Sequence, residues 1–320
     1  MALTRRKLLT YAAGAMLASV LPALASETHL LSGRAFGTSW QVRLCGKADP
    51  EALARELAGM LARIDLAMSP FRPDSTITRF NTAPAGRHDV GPDFATVTSE
   101  ALRIAALTSG AFDPSVGPAV SRFGFGPIHG ERAGGVSGFA VDGLALSKSR
   151  DQLTLDLCGI AKGYALDLMA DLVVAAGADD FVAELGGEVL AQGRDIEAKP
   201  WRIGISDPLV GGIHAIVDAR GLALATSGDA INVYTVGGRR YSHIIDPGTD
   251  EPLVSEVASV SVFAARAMTA DALATALMVM GPDKGLAFAE AHDIPVLYLL
   301  RTPTGLREIS SRAFGPHRMS

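Results

Sequence analysis

The chain has 320 residues and carries 29 Lys and Arg against 34 Asp and Glu, a formal net charge of −5. Its arginines are scattered, which argues against nucleic acid as a partner, because phosphate contacts need a clustered basic surface. With 48% apolar residues, two cysteines and seven histidines, it has enough material for one large domain or two small ones. It is not a disulfide-stapled scaffold, and it lacks the C-x-x-C and H-E-x-x-H patterns of a zinc site.

Residues 1–25 read as an export leader. Thr4-Arg5-Arg6-Lys7-Leu8-Leu9 sets paired arginines before an apolar run from Tyr11 to Leu24, and Ala23-Leu24-Ala25 offers an A-x-A cleavage site. The pair matches a twin-arginine address, with Leu8 where such signals often have Phe; the alternative is the basic start of a Sec signal. Either way the expected location is the periplasm. The mature domain then spans 26–320, and no other segment is long and apolar enough to insert stably in a membrane.

Within the mature chain, Trp40 to Leu44 alternates like a strand, and Pro50 to Leu66 has helical spacing through Leu53, Leu57, Leu61 and Ile64. Met68 to Asn81 is a polar loop with a short helical turn. Thr96 to Thr108 is a helix stopped by Gly110, since Ala111-Phe112-Asp113-Pro114 cannot continue it. Glycine is dense from Gly124 to Gly138, which marks an exposed, mobile insertion. Leu144 to Leu146 and Leu153 to Leu157 read as a hairpin, and Ile160 to Ala176 as a helix closed by Gly177. Further strands are expected at Phe181–Glu188, Trp201–Ile205, Ala215–Val217, Leu222–Thr226, Val233–Val236 and Ser259–Val262. Helices follow at Ala270–Met280, ending at Gly281, and at Lys284–Ala291, and Pro295–Leu300 is the last strand. Strands that often follow one another directly favour an α+β fold with a mostly antiparallel sheet. Cys158 lies in an apolar run, so two buried free thiols fit better than a Cys45–Cys158 disulfide.

Chemistry concentrates in a few places. Asp271 and Thr275 stand in an otherwise apolar helical segment and, four residues apart, share one face. A hard cation such as Mg²⁺ takes one or two carboxylates when a substrate phosphate supplies the rest, and this pair suits it. The competing explanation is local: an acid near the first turn complements the helix dipole, with Thr269 as N-cap. Gly159-Ile160-Ala161-Lys162-Gly163-Tyr164 joins a strand to a helix, where glycines admit either a close ligand or a tight turn. His243 sits in Tyr241-Ser242-His243-Ile244-Ile245-Asp246-Pro247, either as a site residue or as a structural histidine. Glu184-Leu185-Gly186-Gly187-Glu188 is a strand bulge or a close backbone approach.

Eight segments in order resemble the ApbE flavin transferases over almost all of the mature chain. They are Phe36-Gly37-Thr38-Ser39-Trp40, Met68 to Ser75 with Arg79-Phe80-Asn81, Ser109 to Pro118, Asp156 to Ala165 with Asp167, Leu185 to Glu188, Thr226 to Asp229, Ser242 to Pro247, and Asp271 to Ala276. The twin-arginine leader gives a weaker likeness to the periplasmic NosX-like branch. The resemblance implies a T-fold-like α+β protein that binds FAD and Mg²⁺, passes FMN to a threonine of an acceptor protein, and releases AMP. It implies metal ligands at Asp271, Thr275 and the Ala161 carbonyl, with His243 as the base for the acceptor hydroxyl and Asp229 the next group to test. It implies FAD contacts at Phe36, Phe71, Ala111, Phe112, Asp113, Cys158, Tyr164 and Ile245. The implied partner is an FMN-binding domain of a membrane-bound electron-transfer protein, NosR-like if the narrower branch holds. Phe71 replaces a common Tyr, Cys158 a common Ser and Phe36 a usual Met; none removes a metal ligand or His243, so an active enzyme is expected. A metal-dependent FAD pyrophosphatase and a non-catalytic FAD-binding protein are the alternatives, and the second is disfavoured because a binder needs no base.

Overall fold

The computed structural model describes residues 28–46, 48–132, 134–229, 233–236 and 239–319; the leader read at 1–25 lies outside the described residues. In chain order the elements are β1 (Thr28–Ala35), β2 (Thr38–Cys45), α1 (Pro50–Met68), α2 (Thr76–Thr82), β3 (Gly86–Asp89), α3 (Gly91–Leu107), α4 (Gly117–Arg122), β4 (Phe139–Asp142), β5 (Ala145–Lys148), α5 (Ala161–Ala175), β6 (Asp180–Leu185), β7 (Glu188–Gln192), β8 (Ile203–Ser206), β9 (Ile213–Val217), β10 (Ala223–Gly228), β11 (Val233–Val236), β12 (Arg239–Ser242), β13 (Ile245–Asp246), β14 (Glu251–Pro252), β15 (Val257–Ala264), α6 (Ala267–Ala291), β16 (Val296–Thr302) and β17 (Gly305–Ser310). Eight strands form one sheet in the order β1-β2-β6-β7-β10-β15-β16-β17, and its pairings are antiparallel, as the α+β expectation requires.

Side-chain alternation sends residues to both faces of this sheet. In β16, Val296, Tyr298 and Leu300 enter the larger core, while Leu297 and Leu299 enter a second core with Val217, Phe263 and Phe314. Covered on both sides, such strands read as continuous apolar runs. The larger core lies under α1, α3, α5 and α6. Helix α6 packs on β10, β15 and α5. Up to Met278 it is apolar nearly all round because it is buried nearly all round, so Asp271, the one acid of that stretch, ends inside the protein. Its helical run breaks at Gly281 (φ 73°) before Pro282, where the sequence places a stop.

The structure departs from the sequence reading in several elements, among them unforeseen short ones at β3, α4, β4 and β12. Leu153–Leu157 is not a strand, and β5 pairs instead with β3 and β4. The reason is in the side chains. Asn81 bonds both backbone groups of Leu155 at 2.8 Å, and the buried Lys148 ammonium donates to the carbonyls of Asn81, Asp151 and Leu153 at 3.2, 3.0 and 3.1 Å. Those groups need no ladder partner. Phe181–Glu188 is two strands joined at Gly186 (φ 62°) and Gly187 (φ 109°), a two-residue hairpin turn that glycine permits. Strand β1 precedes the first expected strand and β17 follows the last one; both are sheet edges with weak burial patterns.

Candidate active site

The turn ends of β2, β6–β7 and β10 lie together. Gly186 N–H donates to Ser39 O at 3.1 Å, and β10 runs back along β7, bringing Ser227 toward the Glu188 end. The N-terminus of α5 and one face of α6 meet there. Gly163 makes the meeting possible: a Cβ on it would lie 2.3 Å from Ala267 O and 2.7 Å from Met268 Cα. This is the reason for that glycine, a contact of two helix backbones. With the helices so close, Gly163 N–H donates to Asp271 Oδ2 at 3.0 Å.

The first turn of α6 is capped from outside. Asp167 on α5 accepts from Ala267 N–H at 2.7 Å and Met268 N–H at 3.1 Å, while Arg266 lies 3.2 Å from it. Thr269, read as a possible cap, instead donates to Glu100 at 2.6 Å. Asp271 is therefore not needed to cap its own helix, and its carboxylate instead meets a first-turn N–H of α5.

Asp271 is 4% exposed, and Thr275 Oγ1, one turn on, is 3.2 Å from Ser227 Oγ. Lys162 pairs with Glu188, whose other oxygen, Oε2, is buried without a hydrogen-bond partner. Burial pushes the Asp271 carboxyl up, with Lys162 and the Gly163 N–H opposing it. Burial likewise pushes Glu188 up to about 7, against Lys162. Burial pulls the Lys162 ammonium down, but Asp271 and Glu188 outweigh it and hold it above its ordinary value. Two acids thus face one base among oxygen donors. That set, with an unpartnered carboxylate oxygen, fits a hard divalent cation, and Asp271 and Thr275 point their donors from one face. Ala161 is the first residue of α5, beside Lys162. Among the described residues there is no group of three or more His, Cys, Asp or Glu, so any cation here would take most of its ligands from hydroxyls, carbonyls, substrate or water.

Above this cluster lies Gly159, where a Cβ would meet Phe112 Cε2 and Thr275 Oγ1, each at 3.4 Å. Phe112 is buried and Ala111 half-buried on the loop after α3. Cys158 is exposed and free, as is the half-buried Cys45, so the buried-thiol expectation fails for both. Burial nevertheless pushes the Cys158 thiol well up, with Asp156 adding to it. Lys162, 31% exposed in its side chain, lies close enough to oppose that rise.

The remaining expected contacts divide. Phe36 occupies the β1–β2 turn with φ 50°, half-buried, at the same sheet end as Gly186. Tyr164 turns away: its hydroxyl donates to Asp93 at 2.8 Å, and burial followed by Asp93 raises it. Phe71 is 68% exposed on the α1–α2 loop. Asp113 accepts from Ser115 N–H and Oγ–H, both at 2.7 Å, and pairs with Arg132. Ile245 is buried in β13, and the His243 ring stands edge-on to Phe125 at 6.3 Å. Asp229 is taken by the Arg301 guanidinium, which makes it a poor second base. Lys162, Glu188 and Arg132 received no role from the sequence. A lone Lys after a helix start, and a second Glu across the Gly186-Gly187 turn from Glu184, were the available signals for the first two.

A model of the ApbE family matches residues 36–298. The FAD:protein FMN transferase of Vibrio cholerae is 39% identical over 311 residues, covering 91% of this chain and 93% of that protein. That of Escherichia coli is 34% identical over 300 residues, 87% and 85% of the two chains. Among solved structures, the flavin transferase ApbE of Vibrio cholerae has a TM-score of 0.85 at 37% identity, covering 92% of this chain and all of that one. The apo flavinyl transferase ApbE of Pseudomonas stutzeri has a TM-score of 0.82 at 32% identity, covering 92% and 98%.

Proposed function

The chain belongs to the ApbE family, and from that premise we propose that it moves FMN from FAD onto a threonine of an acceptor protein and releases AMP. The observation that carries the reading is the buried Asp271, not needed to cap its own helix because Asp167 does so, held by Gly163 and set near Lys162, with Thr275 one turn on.

Asp271, Thr275 and the Ala161 carbonyl are the residues that would hold Mg²⁺, which when bound neutralises charge on the diphosphate. The chain's own groups do the rest. Phe112 and Phe36 offer flat apolar surface to the flavin. Lys162 adds a fixed positive charge at the mouth of the metal site. His243 accepts the proton of the acceptor hydroxyl; the threonine oxygen forms a bond to the FMN-side phosphorus as the bond to the bridging oxygen breaks, and that oxygen leaves with AMP. The paired arginines and apolar run of residues 1–25 support export to the periplasm, and the acceptor in this reading is an FMN-binding domain of a membrane-bound electron-transfer protein, NosR-like in the narrower reading.

The test incubates the mature chain with FAD, Mg²⁺ and an FMN-binding domain bearing its threonine. Flavin fluorescence that stays with the denatured acceptor, together with one AMP per flavin, supports transfer. FMN free in solution assigns a pyrophosphatase instead, and unchanged FAD assigns a binder.

A further inference from the structure

The glycine-dense stretch between α4 and β4 is exposed at Gly124, His129 to Glu131, Gly134 and Ser137, as its composition suggests, but its other side is not free. It lies on the His243 segment. Phe125 meets the His243 ring at 6.3 Å, and Phe123 stacks on Tyr241 at 6.5 Å. Arg122 at the end of α4 donates to Asp250 O.

Arg132 makes the decisive bridge. Its side chain is only 16% exposed. Nη1 donates to Pro247 O and to Asp250 Oδ1, each at 2.5 Å, Nη2 donates to Asp113 Oδ2, and Nε reaches Ser115 Oγ at 3.4 Å. Every nitrogen of the fork is engaged, and the partners come from two segments more than a hundred residues apart in sequence. One segment carries Ala111, Phe112 and Asp113; the other carries His243 and Ile245. Only a planar guanidinium spans such a set; an ammonium would satisfy one side of it.

Each side is closed by bonds of its own, so Arg132 joins two turns that are already formed. The Asp113 loop is closed locally by the two Ser115 bonds. The Pro247 turn is also formed locally, since Asp246 accepts from Gly248, Thr249 and Asp250 N–H. Arg122 ties that turn to α4 through Asp250 O, but the direct bridge from it to the Ala111–Ser115 loop is Arg132. We propose that Arg132 is a positioning residue: it fixes the His243–Pro247 segment against the Ala111–Ser115 loop and so sets where the His243 imidazole meets the acceptor hydroxyl. The inference rests on His243 being the base of the proposed transfer.

The test compares wild-type, Arg132→Met, Asp250→Asn and His243→Ala forms of the mature protein, using the FMN-binding domain above. Asp250 has φ 55°, a left-handed conformation that Asn tolerates, so Asp250→Asn removes charge without straining the turn. Flavin fluorescence titration gives the FAD Kd, acceptor labelling gives kcat, and a thermal melt reports folding. Misplacement of a base by about 1 Å is expected to cost Arg132→Met about 10- to 100-fold in kcat. Its FAD Kd should stay within about threefold, and the pH–rate profile should keep its shape at a lower plateau. Asp250→Asn should move kcat the same way by less, and the double variant should fall no further than Arg132→Met, because the two share one interaction. Wild-type kcat in Arg132→Met, with His243→Ala inactive, overturns the positioning role. Normal transfer by His243→Ala overturns the base assignment beneath it. Parallel loss of melting temperature, FAD affinity and kcat in both Arg132→Met and Asp250→Asn reduces Arg132 to a brace and overturns the proposal too.

Discussion

Gly163→Ala tests whether the approach of two helix backbones builds the site. The new methyl would lie 2.3 Å from Ala267 O and 2.7 Å from Met268 Cα. Both are backbone atoms, so no side chain can swing aside. Helix α6 would have to retreat by about 1 Å to reach ordinary contact, which stretches the 3.0 Å bond from Gly163 N–H to Asp271 beyond range. Overpacking costs about 1–3 kcal/mol. Losing a hydrogen bond to a carboxylate costs about 1.5–3 kcal/mol. Alanine's better helix propensity returns about 1 kcal/mol. The net is about 1.5–5 kcal/mol, or a melting temperature lower by about 3–20 °C in a domain of this size. Gly159→Ala is the control: its methyl would meet Phe112 and Thr275 at 3.4 Å, an ordinary contact. That variant should melt within a few degrees of wild type, yet take up FAD poorly, because the methyl fills space beside the Thr275 hydroxyl. Calorimetry and FAD titration on both variants decide the matter. A Gly163→Ala protein with wild-type melting temperature and transfer would refute the helix contact. One that melts early but transfers normally would refute the link between Asp271's placement and the chemistry.

Asp271→Asn keeps an acceptor oxygen for Gly163 N–H but removes the charge, so the fold should persist while calorimetric Mg²⁺ affinity drops at least about tenfold and transfer fails; unchanged Mg²⁺ binding would move the metal elsewhere. Glu188 gives a pH signature. Its carboxyl ionises near 4.5 in the unfolded chain but holds its proton up to about 7 when folded, so stability should fall as pH rises from 4.5 to about 7. Denaturant midpoints across that range should flatten in Glu188→Gln, and an unchanged slope would assign the dependence to other groups. Iodoacetamide should label the exposed Cys158 slowly at neutral pH and faster at high pH, because burial raises its thiol. Labelling should block FAD uptake and be prevented by prior FAD, whereas a labelled protein that binds FAD normally would place Cys158 outside the flavin site.

Much of the architecture was legible from the residues. The periodicity of Leu53, Leu57, Leu61 and Ile64 marks α1, the break at Gly281 and Pro282 falls where α6 is interrupted, and Asp271 and Thr275 share a helix face because four residues make about one turn. The order of ApbE-like segments carried the family. Apart from that order, these signals are local: they depend on dihedral preferences and on spacings of about one helical turn.

What only the tertiary structure decided involves groups far apart in the chain. Asp167 caps α6 from 100 residues upstream, and this frees Asp271 from the role the sequence allowed it. Lys148 and Asn81 satisfy the backbone around Leu153 and Leu155, so an apolar stretch that reads as a strand is not one. Gly163 is small because another backbone lies against it, a fact indistinguishable in sequence from a turn or a ligand contact. The Lys162–Glu188 pair and the bridge from Arg132 to Asp250, 118 residues away, have no sequence periodicity at all. Hydrogen bonds and ion pairs of this kind are chosen by which buried polar groups the packed fold leaves facing one another, and that is settled only when the sheet and its helices have met.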